Sequence, residues 1–191
     1  MGREAGVGDQ APRKLVARVG GRIRALRGQR GWSVRELAEV GGLSRRMLTD
    51  IELGQANPSL ATLDRVAHAL DTDFATLALP EDAASGAQID GTLVWRAPDG
   101  SHALLLGATR SPVAELWRWT LAPGGRYEAE PDRPGAQGVH HVLSGRLTLA
   151  TEAGPRVLRQ GQSAVVTTDQ RYAYLNEEDE PAVFLLVATG A

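Results

Sequence analysis

The sequence predicts a two-domain protein, an all-α head of five short helices followed by an all-β body. Two observations predict it. Across residues 13–79 apolar side chains recur at three- and four-residue spacing, and from residue 91 the period changes to alternation broken by Gly- and Pro-bearing turns. Between the two, residues 80–90 (PEDAASGAQID) are small, polar and without period. They read as a linker with a flexible-chain reach of ~17–20 Å. Residues 1–12 are Gly-rich and aperiodic, and disorder is expected there.

The head can be taken helix by helix. Leu15, Val16, Val19, Ile23 and Leu26 mark one side of a first helix, and Arg18, Arg22, Arg24 and Arg27 its polar side; Gly31 ends it. Ser33 followed by Glu36 is a capping box, in which each side chain satisfies a free backbone N–H of the first turn. Leu37 and Ala38 bury that second helix, and Gly41-Gly42 stops it. Leu43 is an apolar plug and Ser44 a new N-cap. Met47, Leu48 and Ile51 then form the expected buried stripe of a third helix, leaving Arg45, Arg46, Thr49 and Asp50 pointing outward; Gly54 ends it. A fourth helix starts at Asn57-Pro58-Ser59 with Leu60, Leu63, Val66, Ala67 and Leu70, and a short fifth covers 73–79. A helix held from behind while Arg and Thr project from its first turns has the form that enters a DNA major groove.

Composition narrows the function. The chain has 191 residues, enough for one domain or two, with 42% apolar and 23% charged residues, as in soluble proteins. No apolar run approaches the ~20 residues of a membrane helix, and the first residues lack a signal-peptide core. A cytoplasmic protein that does not act on membranes is expected. There is no cysteine, which excludes disulfides and thiolate chemistry. Net charge is −2, but residues 1–80 carry 12 cations against 9 acids and residues 81–191 carry 9 against 14. The 34 residues from Arg13 to Arg46 hold ten cations and two acids, a charge of +8. That is the footprint of a segment facing nucleic acid.

The run RIRALRGQRGWSVRELAEVGGLSRRMLTDIELGQANPSLATLDRVAHALD, with Glu36-Leu37-Ala38, Gly42-Leu43-Ser44 and Pro58-Ser59-Leu60, resembles the helix-turn-helix of the lambda-repressor-like, or XRE, family. The resemblance implies base-edge contacts from Arg45, Arg46, Thr49 and Asp50, and phosphate contacts from Ser44, Arg35 and Asn57. It departs at Val34, where the family often places a phosphate-binding Gln. An arginine bridging both acceptors of guanine gives ~1–3 kcal/mol of discrimination. Arg45 and Arg46 acting only on phosphates would give affinity without sequence preference. One reading helix covers few base pairs, so a homodimer on a double-stranded operator is expected, with half-sites about one turn apart.

In the body, strands are expected over 93–96, 103–106, 113–121, 138–150, 156–158, 164–167, 172–175 and 182–187, in the jelly-roll class. Pro123-Gly124, Val142-Leu143-Ser144-Gly145, and Gly161 with Asn176 resemble a cupin domain, placed at residues 91–191. An XRE head followed by a cupin resembles a class of bacterial one-component regulators. A metal-binding cupin uses His-x-His, a Glu and a further His. Those positions fall on Glu130, Asp132, Gly138 and Tyr172, and none keeps its usual residue. No metal or other cofactor is therefore expected. Glu130 and Asp132 alone make a poor hard-cation site. His140 has the parity to face inward as a replacement ligand, and a hydrogen-bonded core histidine is the preferred reading.

Without a metal, the barrel retains the means to bind a small organic effector. Trp117 and Trp119 share a strand face with Glu115, which suits an apolar ligand with one cationic group. Filling the core is an equally good use for both rings. Glu130, His140, Tyr172, Tyr174 and Asn176 complete the candidate pocket. The alternative function is enzymatic, because the same domain order occurs in an iron-dependent epoxidase of phosphonate antibiotic synthesis. That chemistry needs two His and a carboxylate on iron, which this chain lacks at the matching places, so a regulator rather than an enzyme is expected.

Overall fold

The computed structural model describes residues 13–56, 58–79, 91–110 and 113–189. The expected disordered tail 1–12, the linker 80–90 and the phosphate-contact residue Asn57 lie outside the described residues.

Among the described residues five helices form the head: α1 (Arg13–Gln29), α2 (Val34–Val40), α3 (Arg45–Glu52), α4 (Leu60–Ala69) and α5 (Phe74–Ala78). Side-chain caps start four of them. Ser33 Oγ accepts from the Glu36 N–H at 3.2 Å while the Ser33 N–H donates to the Glu36 carboxylate at 2.7 Å, closing the capping box. Ser44 and Ser59 accept from Met47 and Thr62, both at 3.1 Å, and Asp73 accepts from Thr76 at 2.6 Å. Leu15, Val19, Ile23, Leu37, Leu48, Ile51, Leu63, Val66 and Leu70 fill the space between them. At the α1–α3 crossing, a Cβ added to Gly20 would lie 2.3 Å from the Ile51 carbonyl oxygen. The two helices therefore meet backbone to backbone.

Two expectations about the head need correction. Met47 is 45% exposed, whereas α3 buries Leu48, Ile51 and Glu52. At ~100° per residue that trio centres the buried face about a quarter-turn away from Met47. Nor does α1 offer its basic side freely to a partner. Arg22 donates to the carbonyls of Thr76, Leu77 and Leu79, Arg18 to Ala78 and Arg30 to Leu70, satisfying carbonyls at the C-terminal ends of α5 and α4. Much of the +8 run is used inside the head.

Among the described residues the body has ten strands, all paired antiparallel. They are β1 (Thr92–Arg96), β2 (His102–Arg110), β3 (Val113–Leu121), β4 (Arg126–Ala129), β5 (Gln137–Ser144), β6 (Arg146–Thr151), β7 (Gly154–Arg159), β8 (Ser163–Thr167), β9 (Tyr172–Leu175) and β10 (Ala182–Thr189). One sheet runs β1-β2-β3-β10-β5-β8 and the other β4-β9-β6-β7. The strand expected over 138–150 is two strands in different sheets. The chain turns between them at Gly145, where φ is +74° and a Cβ would meet the Pro181 carbonyl oxygen at 2.6 Å. β4 was not anticipated: it is four residues long, with Tyr127 as its one buried residue. Alternation along β3 sends Glu115, Trp117, Trp119 and Leu121 inward. There Trp119 meets Tyr127 and Tyr174 at centroid separations of 4.6 and 5.2 Å.

Head and barrel touch. Phe74 of α5 stacks on Trp117 of β3 at 5.8 Å and 16°, and Arg133 Nη2 pairs with Asp64 of α4 at 3.1 Å.

Candidate nucleic-acid interface and interdomain cavity

The first site is the outer side of α3. Ser44, Arg45, Arg46 and Met47 are exposed, Thr49 and Asp50 half-buried, and Arg35 of α2 is exposed beside them. The Arg46 side chain is 93% exposed, and only a long 3.9 Å approach to Asp50, one turn on, restrains it. Thr49 Oγ1 donates back to the Arg45 carbonyl at 2.9 Å. The frame behind is rigid. Glu52 is buried and receives Arg27 through both oxygens, at 2.7 and 2.9 Å, while Arg27 also donates to the Trp32 carbonyl at 2.8 Å. A bidentate, largely desolvated pair of this kind fixes orientation as well as adding attraction. Arg24, half-exposed, reaches the same carboxylate at 3.6 Å. Exposed guanidiniums on a helix locked from behind can bridge guanine edges or phosphates, and Met47 stands exposed beside them rather than in the core.

The second site is a cavity of about 270 Å³ where α4 and α5 close the mouth of the barrel. Of the residues expected in a pocket, Glu115, Trp117, Trp119, Glu130 and Tyr172 line it. His140, Tyr174 and Asn176 do not. Asn176 is a clamp whose amide donates to the carbonyls of Leu121, Ala122 and Glu180. The cavity also takes in Asp64, Phe74, Tyr127, Asp132 and Thr168. Local sequence could have offered Tyr127 had β4 been recognised. Asp64 and Phe74 belong to the other domain and carry no local signal.

Charge in this cavity is lopsided. Glu115 is 4% exposed and accepts the Trp117 indole N–H at 3.0 Å through Oε2, but its Oε1 has no hydrogen bond from any described residue. Burial pushes this carboxyl up to about 7; the Trp117 N–H and more weakly the Ala75 amide favour the ionised form, while Asp64 and Asp73 push it further up. Burial likewise raises Asp132, against the Thr168 and Tyr172 hydroxyls that favour its charge. The Trp119 indole N–H also lacks a partner among the described residues.

The donor set does not fit a cupin metal. Glu130 is exposed and turned toward Arg171 at 3.7 Å. A Cβ on Gly138, where the family's Glu would start, would lie 2.8 Å from Leu186 and 2.9 Å from the His140 ring. His140 is fully buried, shares a 2.9 Å hydrogen bond with the Tyr174 hydroxyl, and is pushed by burial down to about 4, so it is neutral near pH 7. Among the described residues no three of His, Cys, Asp or Glu converge on one point.

Comparisons with known proteins find relatives of both parts of the chain. Residues 23–77 match the HTH_3 helix-turn-helix family and residues 117–188 the Cupin_2 cupin-domain family. The HTH-type transcriptional regulator SutR of Escherichia coli (strain K12) is 27% identical over 168 residues, 85% of this chain and 89% of that protein. The HTH-type transcriptional regulator SinR of Bacillus subtilis (strain 168) is 40% identical over 60 residues, 31% of this chain and 54% of that protein. A crystal structure of an HTH_3 family transcriptional regulator from Vibrio cholerae shares the fold over 94% of this chain and 98% of its own, with a TM-score of 0.70 at 24% identity.

Proposed function

We propose that this chain, a helix-turn-helix head of the HTH_3 family joined to a Cupin_2 barrel, is a homodimeric, sequence-specific DNA-binding transcriptional regulator that senses a small molecule without a metal. The observation that carries the reading is α3: Arg45, Arg46 and Met47 stand outward on a helix whose opposite face is fixed by Leu48, Ile51 and the Glu52–Arg27 pair. The similarity to SutR over 85% of this chain, SutR being itself an HTH-type transcriptional regulator, supports it. In this reading residues 13–79 bind DNA, and residues 91–191 dimerise and hold the effector. Ser44 and Arg35 serve phosphates, and Thr49 and Asp50 share the base edges with the two arginines. The outer face of the larger sheet suits a second copy, since Leu116, Val139, Leu143 and Val165 stand exposed there on β3, β5 and β8. Two heads are needed to reach half-sites ~34 Å apart. The protein is expected to work in the cytoplasm.

Selection of bound duplexes from a random pool, followed by sedimentation of the complex, tests the reading. A two-fold related motif bound by two chains is expected. Equal affinity for every duplex, or one chain per site, overturns it. The competing reading, a metal-dependent oxygenase, requires a donor set that Gly138 and the sequestered His140 do not supply. One tightly held iron per purified chain with oxygen-dependent turnover would reverse that choice.

A further inference from the structure

Three features meet in the cavity between head and barrel. The first is Glu115, buried, lining the space, with one carboxylate oxygen lacking any donor among the described residues. The second is an acidic surround: Asp64 from α4 and Asp132 line the same space. The guanidinium beside them, Arg133, pairs with Asp64 at 3.1 Å and also acts on Asp132, leaving two acids to one cation before Glu115 is added. The third is an aromatic wall made by Trp117 and Trp119 from the barrel and Phe74 from the head. An orphaned buried acceptor calls for a donor, a negative enclosure for a cation, and ring faces attract cations directly. The volume, about 270 Å³, lies just below the ~300 Å³ at the low end of ordinary ligand sites.

We propose that this cavity is a two-domain site for a small protonated amine with an apolar body, whose ammonium donates to Glu115 Oε1 while its body lies among Trp117, Trp119 and Phe74. The inference rests on the reading of the chain as a ligand-sensing regulator and names the ligand class and the regulation. Because α4 and α5 form part of the wall, occupancy acts on the seating of the head against the barrel. α4 follows the reading helix α3 directly in the chain, so a ligand that favours one seating changes operator affinity by its differential affinity for the two. The unpartnered Trp119 N–H offers a donor to an acceptor oxygen on the same ligand.

The test is calorimetric titration of the full chain at pH 8 with benzylammonium and with benzyl alcohol, which match in shape and differ in charge. Benzylammonium is expected to saturate at one per chain and to bind about tenfold more tightly than the alcohol or better. Glu115→Gln, close to isosteric, should erase that preference, and Asp132→Asn should reduce it several-fold. Saturating benzylammonium should also shift the affinity of the wild-type chain for its selected operator. Equal binding of the two probes, retention of the preference in Glu115→Gln, or no saturation by about 10 mM overturns the proposal. In those cases operator binding by the unliganded protein persists and the regulator reading survives. A chain that prefers the amine but no DNA sequence sinks the regulator reading and leaves the site intact.

Discussion

Two buried glutamates, one in each domain, are treated in opposite ways. Glu52, on the buried face of α3, has both oxygens filled by Arg27 and a further guanidinium nearby. Glu115, under the head–barrel contact, has the Trp117 indole N–H, a weaker influence from the Ala75 amide, an oxygen without a hydrogen bond from any described residue, and two acids acting on its charge. The first is a completed structural joint. The second is held in an environment that disfavours its charge. The arginines divide along similar lines: Arg18 and Arg22 of α1 cap carbonyls within the head, and Arg45 and Arg46 of α3 are left to solvent.

The comparison breaks most easily at its structural end. Arg27→Ala leaves Glu52 buried with only the looser Arg24, and should cost ~3–5 kcal/mol of stability. Thermal unfolding followed by circular dichroism should show a large fall in Tm, and a change of a degree or two would mean that the joint is dispensable. Glu115→Gln should act in the opposite direction, and only at higher pH. Its carboxyl sits at about 7 in the fold against an ordinary 4.5, so between those values the folded chain keeps a proton that the unfolded chain releases. Stability attributable to Glu115 is therefore full below pH 4.5, lost progressively up to pH 7 and flat above, an effect of at most ~3 kcal/mol. The Gln variant should melt above the wild type at pH 8 and with it at pH 4.5. Parallel melting at both values would mean that Glu115 is solvated or paired. The smallest effect belongs to the free arginine. Arg46→Ala should leave Tm unchanged and lose ~1–3 kcal/mol of operator binding, concentrated at one or two base pairs of each half-site. A uniform loss across competitor sequences would make it a phosphate clamp.

How far the sequence disclosed this depended on whether the relevant contacts were local. Ser33 with Glu36, Ser44, the Gly41-Gly42 stop and the inward alternation of Glu115, Trp117 and Trp119 are all decided within a few residues, and all appear as expected. Met47 was misplaced because the position of the α3 stripe depends on Glu52, whose burial follows from a partner 25 residues earlier. The basic run points to DNA as a whole because charge alone does not reveal that α5 folds back beneath Arg18 and Arg22. The cavity was half legible: its barrel wall follows from strand parity, whereas Asp64 and Phe74 arrive only when the two domains dock.

The contact at Gly20 bears on how such a protein could acquire a new target. With the Ile51 carbonyl 2.3 Å from where any side chain would begin, the tilt of α3 across α1 is fixed by main chain rather than by adjustable packing. If α3 reads DNA as proposed, retargeting toward a different promoter is a matter of exchanging the exposed residues at 45, 46 and 47 on an unchanged scaffold, since none of the three belongs to the buried core.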